Sequence, residues 1–202
     1  MSKFSATAGI AIGPILFVIA LLGVLAVVAS AGMTSFGVAQ SADRIKSDIT
    51  TQANLIRSKI NECYMQYITN GVNNSEAPCA GDPYPCSDQD NGTMVSALTC
   101  PGDPLVGGSQ QNIWTGARNA QLPVPTAGFN PWYYMNAGAD GGRCIWTSPT
   151  GGKTGAVKEG LAAAAAKFTS DEVKYDPDSN SQKFVVVITP AGTAYHSKCT
   201  VP

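Results

Sequence analysis

From Phe4 to Ala42 the chain carries no charged side chain. That constrains what its N-terminal part can fold into. The segment contains GIAIGPILFVIALLGVLA (residues 9–26) and stays apolar to Ala29. About 20 apolar residues at 1.5 Å each match a hydrocarbon core of roughly 30 Å, so residues 10–29 have the length of a membrane span. The same run suits a secretory signal peptide, since Lys3 supplies a minimal positive n-region and Ala29-Ser30-Ala31 before Gly32 is an A-x-A cleavage site. On these features alone the two readings stand level.

The next segment has a different pattern. Ala42, Ile45, Ile49, Ala53, Ile56, Ile60, Cys63 and Tyr67 recur at three- and four-residue intervals, the period of one helix face, while Asp43, Lys46, Asp48, Gln52, Asn54 and Arg57 fall opposite. No proline lies between Pro14 and Pro78. A single helix, apolar all round in its first half and amphipathic in its second, is therefore expected through about Tyr67. The join AGMTSFG (residues 31–37) is rich in small residues and weak helix formers and is a place for a bend. Ala20, Gly23, Ala26 and Ser30 form a strip of small side chains, and Gly9 and Gly13 have the G-x-x-x-G spacing. Both patterns permit close helix approach and are also common by chance.

Charged residues make up 13% of the 202 residues, against about 25% in an average soluble domain. The formal net charge is -1 and there is no basic run, so the chain lacks the electrostatic footprint of a nucleic-acid binder. Beyond the uncharged segment roughly 160 residues remain, enough for one ordinary core.

Residues 70–125 are crowded with Gly, Pro, Asn, Asp and Ser, which favour turns. This stretch carries Cys79, Cys86 and Cys100; Cys63, Cys144 and Cys199 complete an even set of six. After an export-competent N-terminus, an even count reads as disulfides formed outside the cytoplasm. Six cysteines allow 15 pairings, and the spacing does not choose among them. Further on, residues 129–135 and 143–147 read as strands and 161–168 as a short alanine-rich helix. Residues 173–175 and 184–189 form an expected hairpin across DPDSNS, with 193–201 as a final edge strand.

The N-terminal residues resemble the bacterial type IV pilins and the pseudopilins of type II secretion. A leader MSKFSATAG ends at Gly9, and the apolar helix follows from Ile10 without a gap, VIALLGVLA (residues 18–26) being the closest portion. The resemblance covers about the first third of the chain and implies an α+β fold. Its parts are a leader (residues 1–9), a transmembrane and assembly helix (10–31), an amphipathic helix (32–69) and a cysteine-rich head (70–202) with a small antiparallel sheet. It implies cleavage between Gly9 and Ile10 by a prepilin peptidase, self-polymerisation or co-polymerisation through the helix bearing Gly13, Pro14, Ala20, Gly23 and Ala26, and dependence on an assembly machinery. The precursor is expected in the inner membrane and the product in a periplasmic or extracellular filament. A Cys144–Cys199 bridge, tying the C-terminal tail to a strand, also follows from the resemblance.

Pro14 stands where the family has a glutamate, so the carboxylate expected to meet a neighbour's amine is missing. That departure points toward a minor or divergent subunit. Proline is accepted in a first helical turn, and inside a longer helix it produces a kink.

Catalysis finds little footing. His196 is the one histidine, there is no G-x-S-x-G elbow, and GGKT (residues 151–154) lacks the first glycine of a Walker A loop, Thr147 standing in its place. No cofactor is expected. Asp176, Asp178 and Asn180 alternate like the start of a calcium loop, and the C-terminal loop of some pseudopilins binds that ion. The glycine and distal glutamate are replaced by Ser181 and Val187, and Asx turns account for the same residues. Trp114, Trp132, Tyr133, Tyr134 and Trp146 suit either a core or a binding face. The alternative to a filament subunit is a secreted or singly membrane-anchored binding domain.

Overall fold

The computed structural model describes residues 12–71, 74–75, 77–103, 109–114, 121–151 and 155–201, with the side chains of residues 12–15, 23–36, 67, 70, 103 and 109 set aside. The chain divides into two compact units, Met1–Gln40 and Ser41–Pro202.

Helix α1 covers Ile12–Asn70. Its backbone is helical through residues 31–37, so the small residues at the join produce no break. The expected membrane-spanning half is not found: among the described residues no helix is long and apolar enough to cross a membrane. Within residues 10–29 the side chains described are those of residues 16–22, about 10 Å of helix against the roughly 30 Å a span needs. In the second unit α1 carries Asp43, Arg44, Lys46 and Asp48, linked on the helix surface as Lys46–Asp43 and Arg44–Asp48 ion pairs.

In the second unit the expected apolar stripe is the core face of α1. Ile49, Ala53, Ile56 and Ile60 are completely buried and Cys63 nearly so. They pack on the inner face of a five-stranded antiparallel sheet ordered β1-β4-β5-β7-β6. Its strands are β1 (Thr93–Met94), β4 (Tyr133–Asn136), β5 (Arg143–Thr147), β6 (Val173–Lys174) and β7 (Phe184–Thr189). Alternation along the strands sends Tyr134, Ile145, Phe184 and Val186 inward, with Trp132 beside them. Outward go Met135, Cys144 and Val185, which form a smaller cluster with Cys199. Two further strands, β2 (Thr99–Asp103) and β3 (Ser109–Asn112), pair with each other.

Helix α2 (Gly138–Gly141) is a single turn between β4 and β5, and Gly142 follows it at φ 75°, a left-handed backbone suited to glycine. Helix α3 (Gly155–Ala165) starts earlier than the alanine run alone indicates. It meets α1 at Gly160, where a Cβ would lie 2.8 Å from the Ile45 side chain and 2.9 Å from the Ala42 carbonyl. The final residues are not an edge strand. A 3₁₀ turn, Ser197–Cys199, closes them, with the His196 ring accepting a hydrogen bond from the Lys198 N–H.

All six cysteines are paired, as Cys63–Cys100, Cys79–Cys86 and Cys144–Cys199. The first ties the end of α1 to β2, and the third ties β5 to the C-terminal turn. The second closes a short loop of its own.

Two stability changes follow. Replacing Gly160 with alanine introduces a better helix former yet is expected to cost about 1–3 kcal/mol by overpacking against α1, read as a lower urea midpoint. The chain-entropy relation assigns about 4 kcal/mol to the Cys63–Cys100 bridge, with a sequence separation of 37. It assigns about 2.5 kcal/mol to Cys79–Cys86, with a separation of 7. Paired Cys→Ala variants should lose stability in that order on thermal melting.

Candidate functional site

The first unit presents the clearest candidate. Leu16, Phe17, Val18, Ile19, Leu21 and Leu22 are 51% to 68% exposed, and Ala20 among them is exposed too. Seven consecutive helical residues, at about 100° each, pass around the axis nearly twice. The apolar surface therefore faces every direction. A one-sided stripe, like that of residues 49–63, is satisfied by one partner surface; an all-round one needs several. Covering each such side chain is worth about 1.5–3 kcal/mol, so exposed surface of this kind marks an interaction site.

The other assembly-helix positions are placed only in part. Gly13, Pro14, Gly23 and Ala26 lie in α1, with Pro14 in its first described turn, and their side chains lie outside those described. The cleavage positions Gly9 and Ile10 lie outside the described residues, as do residues 152–154 of the GGKT motif.

The calcium candidates make local turns. The Asp176 carboxylate accepts from the Asp178 N–H at 2.9 Å, and the Asp178 carboxylate accepts from Lys158 Nζ at 2.8 Å. Asn180 is exposed. Among the described residues no three side chains of metal-ligating type come together.

The aromatic residues separate into two sets. Trp114, Trp132 and Tyr134 belong to the core. Trp132 donates its indole N–H to Gln52 Oε1 at 2.7 Å, and Gln52 Nε2 donates to the Val124 carbonyl at 2.7 Å. Gln52 thus satisfies a buried indole from the middle of an otherwise apolar helix face, a role its polarity does not announce in the sequence. Tyr133 and Trp146 are half-buried on the outer face of the sheet and stack with centroids 5.7 Å apart.

Lys183 Nζ lies 4.9 Å from the Trp146 ring centroid and donates to the Lys198 and Thr200 carbonyls. Burial, with the charge of Lys198 as a smaller cause, lowers this amine to about 8. Lys183 thereby pins the C-terminal segment whose Cys199 is bridged to Cys144.

A second polar group plugs one end of the core. Arg143 and Asp82 form a nearly buried ion pair, and the Arg143 guanidinium also donates to Thr189 Oγ1 at 3.1 Å. It lies 4.4 Å above the Tyr84 ring, which stacks on Tyr64 at 4.9 Å. Desolvation raises the Tyr84 phenol, and raises the completely buried Tyr134 phenol much further. Neither Arg143 nor Asp82 is singled out by the sequence; Arg143 is marked by being a charged residue at an inward-facing strand position, and Asp82 lies in the loop between Cys79 and Cys86.

These shifts fix the pH dependence of stability. The folded chain holds Lys183 at about 8 against an ordinary 10.5, so between those values the unfolded chain binds more protons and stability rises with pH. The raised phenols act oppositely: the unfolded chain loses its phenol protons first, so stability falls from about pH 10 upward. Urea midpoints are expected to peak near pH 9–10. Lys183→Met should flatten the rise, which amounts to about 1 kcal/mol at most once solvent screening is allowed for.

Comparison with known protein families, with curated proteins and with solved structures finds no match.

Proposed function

We propose that the chain is a structural subunit that polymerises through its apolar N-terminal helix, in the manner of a pilin or pseudopilin, and that its disulfide-closed second unit is the solvent-facing head. The observation that carries this reading is the exposed apolar surface of residues 16–22, present on every side of the helix. A surface of that geometry is covered when several copies bundle their helices, and a single docking groove leaves part of it wet. The three disulfides support it as well, because they fit a head that matures in an oxidising compartment.

In this reading the leader is removed after Gly9 by a prepilin-type peptidase, and the mature chain begins at Ile10. The role is mechanical, and no residue is assigned to catalysis. The missing glutamate at Pro14 makes a minor or divergent subunit the form proposed.

Two variants test the reading in full-length protein. Ile19→Lys places a charge within the apolar segment and is expected to abolish polymers seen by electron microscopy and sedimentation while leaving the thermal midpoint of the head within about 1 °C, since a surface change away from the core costs little. Gly9→Leu is expected to leave the N-terminus unprocessed, read by intact mass. Polymers that persist in Ile19→Lys, or a wild-type chain that stays monomeric after processing, contradict the proposal.

A further inference from the structure

The three disulfides differ in what can reach them. Cys100, Cys144 and Cys199 are completely buried and Cys63 is 2% exposed, so the first and third bridges lie inside the two apolar clusters. Cys86 is the one cysteine of the six outside the buried class. Its partner Cys79 lines a polar cavity of about 200 Å³ together with Asp82, Gln89, Asn136 and Gly138.

The loop between these two cysteines is held by other means. Gly81 N–H donates to the Asn74 carbonyl at 2.8 Å, and Asn74 N–H donates to the Asp82 carbonyl at 3.0 Å. The Asn74 side-chain amide donates to the Tyr84 carbonyl at 2.6 Å. Asp82 is paired with Arg143, and Tyr84 lies between the Tyr64 ring and the Arg143 guanidinium. Breaking the S–S bond therefore removes one of several restraints on the loop. Breaking either of the other two bridges first requires a core to open.

We propose that Cys79–Cys86 is a thiol-exchange site for low-molecular-weight thiols, opened while the other two bridges and the fold stay intact. A thiolate attacks Sγ of Cys86, the less buried residue of the pair, and forms a mixed disulfide there. The electron pair of the broken S–S bond leaves on Cys79 Sγ, which takes a proton from solvent; the adjoining cavity gives it room to turn away. A second thiol attacks the mixed disulfide and releases Cys86 as a thiol. The bridge is reduced by two electrons, and two small thiols are oxidised to one disulfide. Exchange of this kind is governed by access to the sulfur and by the leaving thiol, and here access separates one bridge from two. The inference does not rest on the filament reading and is tested on the head's chemistry alone.

The experiment treats the folded full-length chain with reduced glutathione at pH 8, quenches with iodoacetamide at intervals and maps each cysteine by peptide mass. The expected result is a glutathione adduct on Cys86 first, then alkylated Cys79 and Cys86, at least tenfold faster than any of the other four, with an unchanged near-ultraviolet circular dichroism spectrum. Equal labelling of all six, earlier labelling of Cys63, Cys100, Cys144 or Cys199, or labelling only on unfolding overturns the proposal. A Cys79→Ser/Cys86→Ser variant is expected to keep the spectrum and take up no glutathione under the same conditions. Failure of that variant to fold overturns the claim that the bridge opens without loss of structure.

Discussion

Burial of one apolar stripe of α1 against the inner face of the antiparallel sheet is the contact on which the head depends. Ile49, Ala53, Ile56 and Ile60 recur at helical spacing and lose all contact with water under Tyr134, Ile145, Phe184 and Val186. Because the strands alternate, the same sheet has an outer face, and its residues need their own cover. The C-terminal segment supplies it, held by Cys144–Cys199 and by Lys183 on two carbonyls. The turn-rich segment after α1 adds Tyr84, Val95, Leu98, Ile113 and Trp114 to the core and is tied to it through Cys63–Cys100. Two of the three covalent links thus lie within the apolar clusters and the third closes a loop of its own, a set of staples expected of a small head.

The core also contains polar groups, and two of them are matched by partners far away in sequence. Gln52 accepts from the Trp132 indole and donates to a backbone carbonyl. Arg143, inward-facing at the end of β5, is met by Asp82 from the short disulfide loop. Removing one partner of such a pair strands a buried charge, which costs more than the pair itself contributes. The loop 79–86 therefore has a structural task that does not depend on its own disulfide.

Periodicity revealed the parts of this fold that repeat. The stripe from Ala42 to Cys63, strands β5 and β7 and the pairing of β6 with β7 could all be read because apolar residues recur at 3.6 or alternate at two. Strand β1 and the β2–β3 pair were hidden, since Thr93–Met94 is too short to show alternation and Ser109–Asn112 is polar throughout. The start of α3 was masked by its glycines, and Gly160 proves to be the point where two helices need the space of a missing Cβ. The tail 193–201 looked extended from composition but ends in a turn capped by His196. The membrane-spanning helix was the largest departure: composition over residues 10–29 has the length and polarity of a span, and among the described residues no helix is long and apolar enough to cross a membrane. Of the proposed site, residues 16–22 were visible as an apolar run, while Gln52, Arg143, Asp82 and Lys183 act through partners distant in sequence that no local pattern discloses.

The two stretches of α1 obey different rules, and the difference carries the functional account. Residues 49–63 are apolar on one side and find one partner, the sheet. Residues 16–22 are apolar on all sides and are left exposed within their own unit. The most direct measurement places a photo-crosslinking phenylalanine analogue at Phe17 in the full-length chain, irradiates the native assembly and identifies the crosslinked residues by mass spectrometry. The account predicts a ladder at multiples of the chain mass, joined within residues 16–22 of neighbouring copies. Crosslinks confined to lipid, to an unrelated protein or to the same chain's head would contradict it.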